Sequence, residues 1–327
     1  MPNSIVVAVV INPVKKEAPQ ARELLLAACA DAGHAEPLFF ETAEDDPGHA
    51  MAREALAAGA TTVIACGGDG TVRAVAEELV GADGVALGIL PLGTGNLLAR
   101  NLGIDVDDFE AAAAVAVGEE TDPVDALRVT LHRPDRSSES TISVVASGLG
   151  IDAEVMNQTN EGLKKVVGPA AYAATGVTKM LGLRRHPVRI SVDDGAWDTE
   201  NARTVMLVNA GYIQGGLQYV PGSRHDDGVQ DVMVMSPRSL AGWGVVAAKM
   251  LLRLKQDVPV VTYHSGRSIS VRSFYPVQAQ VDGDPVGEVT AIDSEILPHA
   301  LRVHVPLEED RLPPGGALAK ILPAAVS

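Results

Sequence analysis

The sequence predicts an α/β domain on a parallel sheet, followed by a mostly antiparallel β-sandwich. Three observations predict this. Up to about residue 124, β-branched apolar runs alternate with stretches of helical period, the pattern of a parallel sheet covered by helices. Beyond it, short strand-like runs follow one another with Asp-Gly turn signals between them, which suits a sandwich. The length of 327 residues also fits two domains better than one.

In the first part, residues 4–12 read as a buried strand and 17–32 as a helix. A short strand at 36–40 precedes a helix at 47–58, with Pro47 in the first turn, where proline is tolerated. Residues 61–66 form a β-branched apolar strand and 71–80 a helix. A strand at 86–90 and a helical stretch at 109–117 complete the alternation. The second part reads as strands at 127–131, 141–146, 188–192, 204–208, 229–235, 269–271, 277–281 and 301–305. Asp193-Asp194-Gly195, Asp227-Gly228 and Asp282-Gly283 supply turns. Helical patterns at about 161–182 and 238–255 interrupt the strands. The expected boundaries are 1–124 for the nucleotide-binding domain and 125–305 for the sandwich, with 306–327 packing back on the first.

Apolar residues are 46% of the chain and aromatic ones 3%, so Ala, Val and Leu must fill both cores. Cys29 and Cys66 give neither a disulfide framework nor metal-ligand spacing, which fits a reducing cytoplasm. The opening stretch, MPNSIVVAVVINPVKK, has neither the basic start nor the long apolar core of a signal peptide. No apolar run reaches the length of a membrane span. A net charge of −16 argues against nucleic-acid binding. The charge is uneven, however. Residues 164–189 hold six Lys or Arg and no acid, and 243–255 carry Lys249, Arg253 and Lys255 with no acid. Such stretches are either solvated helix faces or contacts with an anionic membrane surface.

Residues 63–72, VIACGGDGTV, pass from a buried strand into Gly67-Gly68-Asp69-Gly70-Thr71 and then into a helix. A helix N-terminus has unpaired N–H groups and a partial positive charge, so it draws anions. Glycines let a phosphate approach the backbone. Thr71 is placed to cap the helix or to bond an oxygen. The spacing matches neither a Walker loop nor a dinucleotide fingerprint. A second loop, Pro91-Leu92-Gly93-Thr94-Gly95-Asn96, ends the next strand, and Asn12-Pro13 and Thr42 follow the first two. Ligands of open α/β sheets bind at that carboxyl edge, so the loops read as one phosphate site. The alternative is a plain strand-helix turn.

Taken in order, these motifs resemble the diacylglycerol kinase catalytic family, which includes bacterial lipid kinases, sphingosine kinases and ceramide kinases. GGDGT is followed by PLGTGNLLARNLG, Gly148-Leu149-Gly150-Ile151-Asp152, Asn209-Ala210-Gly211 with Gly215-Gly216, PGSRHDDGVQD, and Val281-Asp282-Gly283-Asp284. The resemblance therefore spans the chain. It implies a phosphofructokinase-like α/β domain and a β-sandwich. It also implies a kinase that uses ATP and Mg²⁺ to phosphorylate a hydroxyl of a diacylglycerol-like lipid, with a part in phospholipid biosynthesis.

By the same resemblance, ATP is held by Asn12, Pro13, Thr42, the loop Gly67, Gly68, Asp69, Gly70, Thr71, Val72 and Arg73, and by Thr94, Gly95 and Asn96. The general base falls on Asp284, where the family has the slightly longer Glu. Asp69 either binds a nucleotide-associated Mg²⁺ through water or orients loop amides, and Asp125 is a second acid lining the cleft. Asp227 matches a Mg²⁺ site completed by the carbonyls of Arg224 and Val229, oxygen donors that suit this hard cation. Leu97 stands where many members have Asp, so either Asp69, Asp125 or Asp227 carries that acid's part or the metal arrangement differs. The basic segments 164–189 and 249–255 then read as reversible, peripheral membrane contacts of a cytoplasmic protein. A homodimer is compatible with the sequence. Two other readings stay open. One is a soluble kinase of NAD, which shares the GGDGT loop on a related fold. The other is a nucleotide- or lipid-binding member without turnover, which Leu97 and Asp284 favour.

Overall fold

The computed structural model of the protein describes residues 5–150, 185–212, 220–239, 241–246 and 260–313. The expected helix at 161–182, Lys164, Lys165, Lys179, Arg184, the segment 249–255, Asp152, Gly215, Gly216 and the tail from residue 314 lie outside the described residues. The chain divides into two units. Among the described residues, those up to Ala126 and those from Pro298 form the first, and those within Leu127–Leu297 the second.

In the first unit, β1 (Val7–Ile11), β2 (Leu38–Glu41), β3 (Thr62–Gly67) and β4 (Ala86–Pro91) are parallel and lie in the order β4-β3-β1-β2. β1, β3 and β4 are buried at every position, as the near-continuous apolar runs of a covered parallel strand require. β2 lies at the edge and is partly exposed. The helices are α1 (Ala18–Asp31), α2 (His49–Ala57), α3 (Asp69–Leu79), α4 (Leu97–Asn101) and α5 (Phe109–Ala116). β2 and β3 flank β1 on opposite sides, so the winding reverses between β1 and β3. Open α/β sheets bind their ligands at such a switch point.

Asp46 sets the start of α2. Its carboxylate accepts N–H bonds from Gly48 at 2.8 Å, His49 at 2.7 Å and Ala50 at 2.9 Å. Partial burial pushes this carboxyl up, but the three N–H bonds outweigh that and hold it below the usual carboxylate range. The helix therefore begins at His49, and Pro47 stands before it rather than in its first turn.

The second unit is built from β5 (Thr121–His132) from Leu127 onward, β6 (Ser138–Ser143), β7 (Ala146–Leu149), β8 (His186–Val192), β9 (Asp198–Ala202), β10 (Thr204–Val208), β11 (Gln230–Met235), β12 (Val261–Gly266), β13 (Ser268–Val281) and β14 (Asp284–His304) up to Leu297. Their pairings in this unit are antiparallel. β13 is the pivot of the sandwich. Its residues 269–273 pair with β8 and 279–281 with β7, and its register against β14 shifts between Arg272 and Val277. A strand that switches partners at such an irregularity makes a corner between two sheets. Alternate residues such as Leu127, Leu207, Val232, Val271 and Ile292 share one buried apolar cluster. Within 241–246, Trp243 and Val246 are buried, so this part of the expected 238–255 helix packs inward.

Several elements differ from the sequence reading. The strand expected at 141–146 is two, β6 and β7, parted at Val144-Val145. Those expected at 269–271 and 277–281 are one bent strand. β9, β12, α4 and most of β14 carried no clear signal. The end of β14, expected in the sandwich, belongs to the first unit, where Val303 pairs in parallel with Leu87. The following segment stays with that unit. The Arg311 guanidinium bridges Asp122 at 2.7 and 3.1 Å, and Leu312 N–H donates to Gly103 O at 3.0 Å.

Candidate active site

The carboxyl ends of the first unit's strands bring their loops to one sheet edge. β3 and β4 are neighbours with Gly67 opposite Pro91, and Leu92 N–H donates to Gly67 O at 2.8 Å. Gly68 is the N-cap of α3, and no side chain caps that terminus. The N-terminal N–H groups of an eleven-residue helix thus stand at the glycine loop, a ready anion site. The glycines are needed for space. A Cβ on Gly93 would stand 2.7 Å from the Gly68 Cα, so the two loops touch through their backbones. A Cβ on Gly67 would meet the Thr71 side chain, and one on Gly95 would collide with the Asp69 carboxylate.

Asp69 ties the two loops together. Its Oδ2 accepts the Asn96 N–H at 2.9 Å and its Oδ1 the Leu97 N–H at 2.6 Å. Of the two roles open to Asp69, the geometry gives it the orienting of loop amides. Asn96 is buried and left-handed, with φ 48°, a conformation asparagine tolerates better than most residues. Its side chain closes a ring on Gly93, accepting from Gly93 N–H at 3.1 Å and donating to Gly93 O at 2.7 Å. Arg100 Nε donates to Gly95 O at 2.9 Å and holds the far side of the loop.

The other expected nucleotide residues divide into two groups. Asn12 and Pro13 follow β1, where the Asn12 side chain accepts Val14 N–H at 3.2 Å and shapes the turn. Thr42 follows β2 at the same edge, and its N–H donates to Ile11 O at 2.9 Å. Gly70 and Arg73 are half-buried on α3, and Thr94 is exposed. Three expectations need correction. Val72 is a core residue whose N–H donates to Gly68 O, so it offers a ligand nothing. Thr71 is buried inside the first turn of α3 and does not cap it. The Asn96 side chain is spent on Gly93 and shapes the loop instead of meeting a ligand.

Asp125, expected to line a cleft, is 0% exposed. Its Oδ1 accepts the N–H of His299, a residue at φ 50°, at 2.6 Å. That makes it a buried acceptor that holds a bend, not an acid open to a ligand.

In the second unit, Asp284 is half-buried and is the first residue of β14, opposite Val281. The preceding Asp282 and Gly283, at φ 48° and 92°, make the two-residue turn with both φ positive that Asp-Gly favours. Sequence reading missed the side chain of Asp282. It is buried, and its carboxylate accepts from the Ser143 hydroxyl and from the N–H groups of Val144, Val145 and Ala146. Burial pushes this carboxyl up from the ordinary range, and those bonds pull against the shift. Only the strength of the Asp-Gly turn signal could have drawn attention to it.

Asp227 is exposed and accepts Val229 N–H at 3.1 Å, while Arg224 holds Asp226 at 2.9 and 2.8 Å. A cavity of about 290 Å³ is lined by Ser223, Asp227, Val229, Asp231 and Ser265 among others. Among the described residues no cluster of three or more acidic, His or Cys side chains is poised for a metal. A cation at Asp227 would therefore depend on carbonyl and water oxygens as well, as hard cations allow.

Residues 6–129 match the diacylglycerol kinase catalytic domain, and 143–305 match the YegS C-terminal NAD kinase β-sandwich-like domain. The chain is 34% identical over 275 residues to a "Probable lipid kinase YegS-like" of Pseudomonas aeruginosa, covering 81% of this chain and 83% of that protein. It is 30% identical over 276 residues to a protein of the same description from Stenotrophomonas maltophilia, covering 81% and 85%. Among solved structures, a diacylglycerol kinase from Bacillus anthracis superposes with a TM-score of 0.71 at 21% identity, covering 93% of this chain and 97% of that one. Yeast NADH kinase in complex with NADH superposes at 0.51 with 15% identity, covering 94% and 86%. At these identities the two structures show a shared fold.

Proposed function

We propose a lipid kinase reading on the premise that this chain belongs to the diacylglycerol kinase catalytic-domain family, in its YegS-like branch. The family is one of phosphotransferases. In the proposed reaction the γ-phosphoryl group of ATP passes to a hydroxyl of a diacylglycerol-like lipid. One observation carries the reading. The uncapped N-terminus of α3 lies between two glycine loops, and Asp69 fixes the second by accepting its N–H groups.

Phosphoryl transfer asks little covalent chemistry of the protein; positioning and charge neutralisation do most of the work. Backbone N–H groups at a helix start supply both without reorganising. The residues present fit a nucleotide phosphate, because the N-terminus of α3 at the glycine loop carries no side-chain cap and helix N–H groups attract anions. Mg²⁺, when bound with the nucleotide, neutralises charge on the phosphoryl oxygens. Asp69 orients the loop amides beside the phosphates, and Asp227 with the carbonyls of Arg224 and Val229 would hold such an ion. Asp284 is the candidate to take the proton of the acceptor hydroxyl.

The lipid nature of the acceptor is supported by the description of the relatives. Reversible membrane contact through 164–189 and 249–255 completes the proposal, supported by the lack of acids in those stretches. Among the described residues no helix is long and apolar enough to cross a membrane. The test is phosphorylation of a total lipid extract with labelled ATP and Mg²⁺, followed by mass spectrometry of the product. Label in a lipid phosphate is expected. Label transferred to NAD instead, or to nothing, overturns the reading.

A further inference from the structure

A tight turn with both central φ positive needs no buried carboxylate. An Asp at the first left-handed position of a tight turn can stay at the surface, as at Asp193-Asp194, with φ of 48° and 56°, where the Asp193 carboxylate bonds Arg267 and Ser268 N–H in solvent. Asp282 has the same φ of 48° but is only 4% exposed. A carboxylate without water is costly unless hydrogen bonds replace the lost ones. Asp282 has four. Ser143 Oγ donates to it at 2.7 Å, Val144 N–H at 2.9 Å, Val145 N–H at 2.9 Å and Ala146 N–H at 3.0 Å.

The carbonyls of the same short segment are bound as well. Val144 O accepts Asn209 Nδ2 at 2.8 Å, Val145 O accepts the N–H of Asn209 at 2.8 Å, and Ala146 O accepts the N–H of Asp282 at 2.9 Å. Gln280 braces the tip from the other side, its Oε1 accepting Gly283 N–H at 2.7 Å. The link from β6 to β7, the residue after β10 and the tip of the β13–β14 hairpin thus form one hydrogen-bonded set. Asp284 leaves that tip in fixed register opposite Val281.

We propose that Asp282 is the positioning residue for Asp284, holding the hairpin tip against residues 143–146 so that the Asp284 carboxylate keeps one orientation. The inference rests on the reading of Asp284 as proton acceptor. A shift of about an ångström in a reacting group costs on the order of a hundredfold, so a loosened tip shows in turnover before it shows in nucleotide binding. Asp282→Asn keeps the shape but turns one acceptor oxygen into an NH₂ that faces a backbone N–H.

The experiment measures kcat and the KM for ATP of the full chain on diacylglycerol in detergent micelles, with a thermal melt of each variant. In Asp282→Asn, kcat is expected to fall about tenfold or more while the KM for ATP stays within about twofold. In an Asp284→Asn background, Asp282→Asn is expected to lower the residual turnover no further. Wild-type kcat in Asp282→Asn, or an equal loss in both backgrounds, overturns the proposal and leaves the base assignment standing. Wild-type turnover in Asp284→Asn overturns the base assignment and this inference with it. If Asp282→Asn does not fold, Ser143→Ala decides. It removes one of the four donors, so a several-fold lower kcat at an unchanged melting temperature supports the proposal, and an unchanged kcat overturns it.

Discussion

At the end of β3, Asp69 stands between glycines, half-buried, and at the end of β13 Asp282 stands before a glycine, buried. Both turn backbone N–H groups of a distant segment toward a carboxylate. Asp69 takes those of Asn96 and Leu97, and Asp282 those of Val144, Val145 and Ala146. The difference lies in what is left over. Around Asp69 the start of α3 carries no side-chain cap, as suits an anion site. Around Asp282 the carboxylate and the segment it grips are satisfied from within. The same residue pair, Asp with Gly, stands at a candidate binding surface where a helix begins and makes a satisfied corner where two strands meet.

The largest effect follows from breaking the first of these. Asp69→Ala removes the acceptor for two N–H groups and the wall against which Gly95 packs. The second loop then loses its position relative to α3. Turnover of ATP, measured as kcat/KM, should fall about 10²- to 10³-fold, the usual cost of losing an electrostatic element of this kind. The melting temperature should change little, because the carboxylate is only half-buried. A loss of less than about tenfold would mean that the glycine contacts alone hold the loops.

How much of this was legible in the sequence differs between the two turns. The alternation of strands and helices located β1, β3 and β4 because each is apolar throughout. The two glycine loops on consecutive strands pointed to one edge, and β3 and β4 are indeed paired there. Hidden from the sequence was the direction of the side chains. Asn96 looked like a ligand residue because asparagine is polar, yet its left-handed backbone turns the amide onto Gly93. Val72 was grouped with the glycine loop because it follows Thr71 in the motif, yet from α3, which starts at Asp69, it faces the core. In the second unit the losses were larger. β9 reads Asp-Thr-Glu-Asn-Ala, with no apolar alternation, and among the described strands it pairs with β8 alone. β14 is broken on paper by Pro285, Gly287 and Pro298, although it runs as one strand. The grip of Asp282 on residues 143–146 joins segments far apart in the chain, and no local pattern records such a contact.

The two units should also differ toward acid. His304, at the end of β14 in the first unit, is buried, with Nε2 at 3.3 Å from Thr62 Oγ1. Burial lowers its pKa from 6.5 to about 4. The folded unit thus holds a neutral ring that an unfolded chain would protonate. Its contribution is fully present above pH 6.5 and is lost as pH falls through the window down to about 4. A shift of this size corresponds to about 3 kcal/mol at most. Both tryptophans, Trp197 and Trp243, lie in the second unit, so their fluorescence reports that unit, while far-ultraviolet circular dichroism reports both. In an acid titration the dichroism should begin to change at higher pH than the fluorescence, and His304→Gln should close the gap. Coincident transitions in the wild-type protein would remove His304 as the cause.

The smallest of these effects separates the two supports of the second glycine loop. Asp69 holds the loop by the N–H groups of Asn96 and Leu97, and the Asn96 side chain holds it by Gly93. Asn96→Ala deletes only the second support and leaves an alanine at φ 48°, a conformation that costs it about 1–2 kcal/mol. Gly93 is then free to move away from the Gly68 backbone that it touches. The KM for ATP should rise about tenfold, with kcat changed less, because in the proposed reaction this loop holds the nucleotide and not the acceptor. Asn96→Asp keeps an acceptor for Gly93 N–H but has no donor for Gly93 O, so its KM should fall between the two. If Asn96→Ala binds ATP as the wild type does, the contact of Gly93 with Gly68 fixes the loop unaided. The parallel with Asp282 would then fail, because only one of the two turns would depend on a side chain to hold its shape.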